Sequence, residues 1–147
     1  MTPSPRSLTG WTHEAQLAVL ARSDAANLKA FADPLIETLP EITVVENRTG
    51  LVMLPMRDTA QGTHFHLGEV LMSEARITAN DHEGYGMRRG RDLEAAMAMA
   101  VVDLAVSLGR AGDDCLAFLE AEARAQADAD HETLCRVEAT RVDMETF

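Results

Sequence analysis

Two stretches near the start of the chain repeat their apolar positions at a helical period. Thr12 is placed to cap the first, and the pattern predicts that this helix ends near Ser23. Asp24 can cap a second helix, which Pro34 must kink or interrupt because proline lacks a backbone N–H. The sequence therefore predicts a helical leader over residues 1–40.

The next region, residues 41–90, changes to runs of β-branched and apolar residues separated by turn residues. Because each connection is too short for a crossover helix, neighbouring strands must run antiparallel. Pro55 is expected at a strand end or sheet edge, and Gly68 at a bulge or a close backbone approach. The prediction is a four-stranded antiparallel sheet, with strands over residues 42–46, 51–56, 64–78 and 85–89.

The helical period returns over residues 91–108, where apolar side chains lie on nearly all sides of the predicted helix. One sheet can cover only one of these sides. The other side, which carries Met99, Val102 and Val106, needs other helices or a partner chain to cover it. The isolated chain is therefore expected to form a homodimer or to aggregate until a partner covers these three residues.

The last part of the chain, from Asp113 onward, is Ala-rich and helical in pattern but has few large apolar residues. Its many carboxylates make it unsuited to a core of its own, so it is predicted to be a helical C-terminal arm or an exposed helical hairpin. Residues 1–147 together suit a single α+β domain, in which helices and the arm over 91–147 flank the sheet.

The charge balance limits the partners of the chain. A formal net charge of -11 repels nucleic acids and anionic membranes, so neither is an expected partner. The longest apolar run, residues 95–102, is far too short to span a membrane, and no signal peptide is indicated, so a cytoplasmic location is expected. Cys115 and Cys135 lack a metal-binding spacing and are expected to be reduced thiols.

The densest positive cluster lies where the last predicted strand meets the long helix. A helix N-terminus can bind an anion through its free N–H groups, and arginines beside it add charge. The glycine spacing is one residue too long for a dinucleotide fingerprint, and the context is antiparallel. Phosphate binding and structural or partner ion pairs both remain open for this segment, whose candidate residues are Gly84, Gly86, Arg88, Arg89, Gly90 and Arg91.

Two histidines suggest a second, metal-binding hypothesis. His64 and His66 project from the same face of a strand, and Glu69 or His82 could supply a third ligand. The alternative is a polar strand face without a function. No nucleophile elbow, P-loop or zinc-protease helix is present in the sequence. The histidines would serve a stand-alone small enzyme or metal-binding protein, while no metal site is predicted for the main interpretation.

Three segments of the chain form an ordered set of motifs. They are Thr49-Gly50-Leu51-Val52-Met53, the residues from Gly84 to Asp92, and Ala139-Thr140-Arg141-Val142-Asp143. Together they resemble the PhnG family, which implies a small subunit of the bacterial carbon–phosphorus lyase system. The resemblance also adds Thr140 and Arg141 to the candidate phosphate-binding or partner-interface residues. Two departures from the family pattern are Leu93, where a lysine is common, and Met144-Glu145, where an aromatic pair is common.

The resemblance further implies a reaction and a set of partners. The expected role is an accessory subunit to PhnI, in a transferase complex that forms ribose 1-methylphosphonate 5-triphosphate from ATP and methylphosphonate and releases adenine. PhnI is the closest expected partner, with PhnH and PhnJ in the core and PhnL functionally associated. Iron–sulfur and S-adenosylmethionine chemistry is expected on PhnJ, with no cofactor on this chain.

Overall fold

The computed structural model describes residues 8–144. Within this range three strands form one antiparallel sheet, and four helices accompany it, which confirms the α+β class. Residues 1–7 of the predicted leader and residues 145–147, which include Glu145, lie outside the described range. The elements in chain order are α1 His13–Arg22, α2 Ala25–Ile36, β1 Thr43–Arg57, β2 His64–Ala79, β3 His82–Arg89, α3 Leu93–Ser107 and α4 Gly112–Ala139.

The first two helices begin where their sequence signals predict. The Thr12 side chain accepts a hydrogen bond from the backbone N–H of Ala15, and the Asp24 side chain accepts one from Asn27. Each cap satisfies one N–H that lacks a partner within its helix, which typically stabilises a helix by about 1 kcal/mol. Pro34 lies in the last turn of α2, so the helix ends two residues after it, at Ile36.

The sheet has three strands, and the prediction of four was wrong. Residues 48–50 were expected to be a turn, but they continue β1, where Thr49 is opposite Ser73 and Gly50 is opposite Met72. Threonine favours a strand, and this glycine does not adopt the left-handed conformation that a tight turn would need. Pairing with a long neighbouring strand therefore overrides the local turn signal.

The second hairpin turn, between β2 and β3, is shorter than predicted. Asn80 and Asp81 both have positive φ, at 47° and 61°, which is the geometry of a two-residue hairpin loop matched to strand twist. β3 therefore begins at His82 rather than Tyr85. The predicted irregularity near Gly68 is present as a register shift beside Pro55, and Pro55 lies in β1, which is an edge strand of the described sheet.

Helix α3 is the centre of the core and packs against all six other elements. Met99, Val102 and Val106 are buried, with Met99 only 2% exposed. The expectation that a partner must cover these residues is therefore wrong, because the other helices and the sheet of the same chain cover all sides of α3. Burying each large aliphatic side chain of this kind contributes about 1.5–3 kcal/mol to folding.

Helix α4 has a packed half and a free half. The packed half is held against α1, where Gln126 donates to the backbone oxygen of Val19 and Asp130 pairs with Arg22 at 2.7 Å. The free half of α4, residues 131–139, is exposed throughout. Because this end of the chain is an exposed helix, the predicted helical C-terminal arm is confirmed.

The hairpin formed by β1 and β2 also projects from the body. β3 pairs with β2 only as far as Met72, so the rest of the hairpin, here called the ribbon (residues 51–71), has no third strand beside it. Its register places Leu51 opposite Leu71 and Met53 opposite Glu69, on the same face that Ala75 presents to the core. Seven of its large apolar side chains are exposed: Leu51, Val52, Met53, Leu54, Met56, Phe65 and Leu67.

Candidate functional site

The segment from Gly84 to Asp92 lies at the junction of β3 and α3, as the sequence predicted, but most of it is strand. Residues alternate between the two faces of β3. Ser73, which faces the core, is opposite Arg88, and the exposed-face residue Met72 is opposite Arg89. The two arginines therefore point to opposite sides of the sheet, so the cluster seen in the sequence is divided in space.

Gly84 and Gly86 face α3 and allow very close packing. A Cβ atom built on Gly84 would lie 2.6 Å from the Cβ of Leu104 and would overlap the backbone oxygen of Ala100. A Cβ on Gly86 would overlap the backbone oxygen of Ala96. Both positions are therefore restricted to glycine by helix–sheet contact. This packing role is separate from the predicted roles in phosphate binding or a partner interface.

Arg88 is used inside the chain. Its guanidinium donates to the backbone oxygens of Leu20 and Ser23, the latter at 2.6 Å, and to the Ser23 hydroxyl at 3.1 Å. These acceptors lie at the C-terminal end of α1, where backbone carbonyls lack helical partners and a cation is favoured. Burial lowers the pKa of Arg88, while Asp92, Asp24 and Glu122 act in the opposite direction. Arg88 thus joins β3 to α1.

Arg89 and Arg91 are exposed, and the helix N-terminus beside them already has a cap. The Asp92 side chain accepts from the backbone N–H of Ala95 at 3.0 Å, and Lys29 pairs with Asp92 at 2.8 Å. The hydrogen bond from Lys29, followed by that from Ala95, lowers the pKa of Asp92. The α3 N-terminus is therefore occupied by a carboxylate of this chain, and the two arginines are the cations available to an external anion.

Gly90 has a structural reason to be glycine, since its φ of +102° lies in a region that side chains rarely adopt. It bonds to β2 through its N–H, which donates to the backbone oxygen of Leu71, and through its oxygen, which accepts from the Ser73 hydroxyl. Thr140 and Arg141 lie beyond the end of α4. Their hydrogen bonds in the described chain are to nearby Val137 and Glu138. No hydrogen bond or ion pair of the described residues joins them to the arginines at 88–91.

The histidines are not brought together with a third ligand. His64 and His66 lie at the far end of the ribbon, opposite Arg57 and Pro55. His82 is opposite Ala79, at the other end of a strand about 50 Å long at 3.3 Å per residue. The suggestion of His82 as a ligand was therefore wrong. Within residues 8–144, no group of three or more His, Cys, Asp or Glu side chains could hold a metal ion.

The most deeply buried carboxylate, Asp103, was not identified as a candidate from the sequence. It is 3% exposed and accepts three hydrogen bonds: from the ring Nε2 of His13 at 2.7 Å, from the side-chain amide of Gln16 at 2.9 Å, and from the backbone N–H of Tyr85 at 3.0 Å. Burial raises its pKa, and the bonds from Tyr85 and His13 oppose that shift. The sequence signal that could have identified Asp103 is that it is a single acidic residue in the middle of an otherwise apolar stretch of α3.

The sheet face opposite α3 carries a charged network. Glu74 pairs with Arg48 at 3.1 Å and accepts from the Tyr85 hydroxyl at 3.1 Å. The hydrogen bond from Arg48 lowers the pKa of Glu74, whereas burial raises the pKa of Tyr85. Two adjoining concavities, of about 410 and 510 Å³, share Met72 and Met87 on this face. The second of them also contacts Arg89 and is open to an approaching partner.

An Arg88 variant separates stability from function within the arginine cluster. Arg88→Gln should lower the free energy of unfolding by about 2 kcal/mol, because it removes charge-assisted hydrogen bonds from half-buried carbonyls. Arg89→Gln combined with Arg91→Gln should change it by less than about 0.5 kcal/mol, since both are exposed. Urea unfolding followed by circular dichroism measures both values. Equal stability of Arg88→Gln and the wild type would refute the proposed joint between β3 and α1.

Fold and site together define a small α+β protein with extended apolar surface exposed on projecting segments, a feature that marks interaction sites. No helix within residues 8–144 has the length and apolar character needed to cross a membrane. The chain belongs to the PhnG family: the family described as "Phosphonate metabolism protein PhnG" matches residues 12–147. This membership confirms the resemblance seen in the sequence and gives the chain a role in phosphonate metabolism.

Proposed function

We propose that this chain is a subunit of the carbon–phosphorus lyase core complex and is accessory to PhnI. In this role it supports the formation of ribose 1-methylphosphonate 5-triphosphate from ATP and methylphosphonate, with release of adenine. The chain is then part of a transferase complex. The observation that carries the proposal is the match of the PhnG family to residues 12–147.

The chemistry of the reaction supports an accessory role. Displacing adenine from a ribose carbon requires groups that bind a triphosphate and a second anion while positive charge develops on the sugar. In the described chain, Arg88 is used to hold α1, and Asp103 is hydrogen-bonded within the core. These groups serve the fold, so we assign the chemical step to the partner.

Arg89 and Arg91 are the residues we propose for contact with a partner carboxylate or a substrate phosphate. Both are exposed, and Arg89 borders the open concavity on the outer sheet face. Arginine suits such contacts because its planar guanidinium can donate two parallel hydrogen bonds. Thr140 and Arg141 remain proposed interface residues, since they are exposed at the end of α4.

The proposed partners follow from the same role. PhnI is the closest, PhnH and PhnJ complete the core, and PhnL acts with them. Iron–sulfur and S-adenosylmethionine chemistry is proposed for PhnJ, and ATP enters as a substrate of the complex. We propose a cytoplasmic location for the assembly, where ATP is available.

Reconstitution tests the proposed function. Purified PhnI, PhnH and PhnL are incubated with ATP and methylphosphonate, with and without this chain, and adenine is measured by liquid chromatography. Adenine release should depend on the chain. Arg89→Gln with Arg91→Gln should weaken assembly with PhnI roughly 30-fold, which corresponds to about 2 kcal/mol of lost charged contacts.

The matched control replaces two exposed arginines elsewhere, Arg110→Gln and Arg124→Gln, and should leave assembly unchanged. Adenine release at the same rate without this chain would contradict the accessory role. Unchanged assembly in the Arg89 and Arg91 double variant would leave the accessory role intact and remove these two arginines from the interface.

A further inference from the structure

His131 and Cys135 lie one turn apart on the free half of α4. Residues four apart on a helix share one face, and the ring Nε2 of His131 is 3.6 Å from the Sγ of Cys135. Both side chains are exposed, and this contact is the only side-chain hydrogen bond that either makes within residues 8–144. Two atoms that can bind a metal are therefore held side by side and open to solvent.

The separation of these two atoms fits a tetrahedral zinc ion. Zinc binds a cysteine sulfur at about 2.3 Å and a histidine nitrogen at about 2.0–2.1 Å. At the tetrahedral angle of about 109°, these two bonds place the sulfur and the nitrogen about 3.5–3.6 Å apart. The Nε2 and Sγ atoms of α4 are 3.6 Å apart, so they are already at the separation that zinc requires.

The sequence of this turn has the spacing of a zinc-binding helix. In the zinc-protease helix H-E-x-x-H, two histidines four residues apart bind the ion from one helix face. Residues 131–135 are His-Glu-Thr-Leu-Cys, with a cysteine at the place of the second histidine. A catalytic zinc site has three protein ligands, and residues 8–144 contain no group of three such side chains. The pair therefore fits metal binding and lacks the ligand set of a protease.

Charge and ligand type select the ion. The end of the chain is acidic, with five carboxylates and two arginines over residues 127–144, and such a surface attracts cations. Thiolate and imidazole ligands suit zinc, whereas magnesium and calcium prefer oxygen ligands. A sulfur and a nitrogen on an acidic helix therefore favour zinc over the other common divalent cations.

We propose that His131 and Cys135 bind a zinc ion through Nε2 and Sγ, as a two-ligand site on the exposed end of α4. Cys135 binds as the thiolate, so its S–H proton passes to solvent as the zinc–sulfur bond forms. Water fills the two other positions of the tetrahedron. Because the ion joins residues four apart, it also holds the last turns of α4 in helical form. This binding goes beyond the proposed accessory function.

Titration with Co²⁺ tests the site, because cobalt bound to a thiolate has a charge-transfer absorption band in the near ultraviolet. The purified full chain is reduced, freed of metal and titrated with Co²⁺ alone. The wild type should show the band, and added Zn²⁺ should remove it. Cys135→Ser should abolish it. His131→Gln should weaken binding about 100-fold, since the second ligand then no longer comes from the same molecule.

A matched control moves the histidine without removing it. His131→Ala with Ala129→His keeps one histidine and Cys135 but places them six residues apart, on different sides of the helix. This variant should bind cobalt as weakly as His131→Gln. All the changed positions are exposed, so folding should be retained, and circular dichroism verifies it. Binding as tight as that of the wild type would show that a lone thiol is sufficient and would overturn the two-ligand site.

The histidines of the ribbon provide a second control. His64→Gln with His66→Gln leaves α4 unchanged and should retain the band. Loss of the band in this variant would place the metal on the ribbon and overturn the proposal. Cys115 does not compete for the ion, because its thiol is fully buried and burial raises its pKa to about 11.

Amide hydrogen exchange gives a readout of the helix itself. Zn²⁺ should slow exchange over residues 131–139 in the wild type and leave it unchanged in Cys135→Ser. A wild type with no cobalt band and no slowed exchange would have an ordinary hydrogen bond only between His131 and Cys135, which would overturn the proposal. Because no other subunit is present, this result is independent of the adenine-release test of the proposed function.

Discussion

Replacing Gly86 with alanine is expected to lower the free energy of unfolding by about 3 kcal/mol, and by more if β3 separates from α3. The added Cβ would overlap the backbone oxygen of Ala96 and approach the backbone nitrogen of Ala100 at 2.9 Å. Backbone atoms of a helix cannot move aside as the end of a flexible side chain can. Overpacking a close-packed interior usually lowers the free energy of unfolding by about 1–3 kcal/mol, and we expect this variant to lie at the upper end of that range.

Gly50 provides the matched control, because it is also a strand glycine but has no heavy atom within 4 Å of the position of an added Cβ. Gly50→Ala should change stability by less than about 0.5 kcal/mol, or increase it slightly by restricting the unfolded chain. Chemical denaturation of both variants under the same conditions gives the comparison. Similar midpoints for Gly86→Ala and Gly50→Ala would contradict the close helix–sheet contact.

Replacing Asp103 with alanine is expected to cost about 2 kcal/mol or more. The carboxylate accepts hydrogen bonds from Gln16, which is fully buried, and from the backbone N–H of Tyr85. Both donors would be left without this acceptor, and an unpaired buried polar group costs about 1–3 kcal/mol. Asp128→Ala, an exposed aspartate on α4, is the control and should be nearly neutral. A neutral Asp103→Ala would show that the three hydrogen bonds contribute little to stability.

The same carboxylate gives a pH dependence of defined sign. Burial raises the pKa of Asp103 in the folded state, so the native protein binds this proton more tightly than the unfolded chain. The resulting stability is fully present below the unfolded pKa, about 3.9, and is lost as the pH rises through the higher folded pKa. Asp103→Asn cannot lose this proton. The stability of the wild type relative to Asp103→Asn should therefore fall as the pH rises from about 4, and a rising difference would contradict the raised pKa.

Local signals predicted the helices well because caps and helical periodicity involve residues close in the chain. Thr12 and Asp24 cap the first two helices as expected, and α3 and α4 occupy the stretches that their apolar patterns indicate. Asp92, predicted only as the end of a glycine-rich segment, is the N-cap of α3. The strands were predicted less well. The local sequence at Thr49 and Gly50 predicts a turn, and only their pairing with β2 shows that they continue β1.

The candidate site was predicted as a sequence cluster, but strand geometry divides that cluster. Alternation along β3 directs Arg88 toward α1 and Arg89 toward the open face, a distinction that needs the strand boundaries and the position of α1. Asp103 was missed for a related reason. Its partners His13 and Gln16 are about ninety residues away in sequence, so no local pattern reveals the network.

The sequence by itself determined the α+β class, the antiparallel pairing, the positions of the helices and membership of the PhnG family, because these depend on periodicity, short connections and ordered motifs. Only the tertiary structure decided that the chain itself covers α3 on all sides and which apolar surface remains exposed. Both depend on packing between distant segments: α3 is enclosed by its own chain, while the ribbon extends beyond β3 without a covering helix.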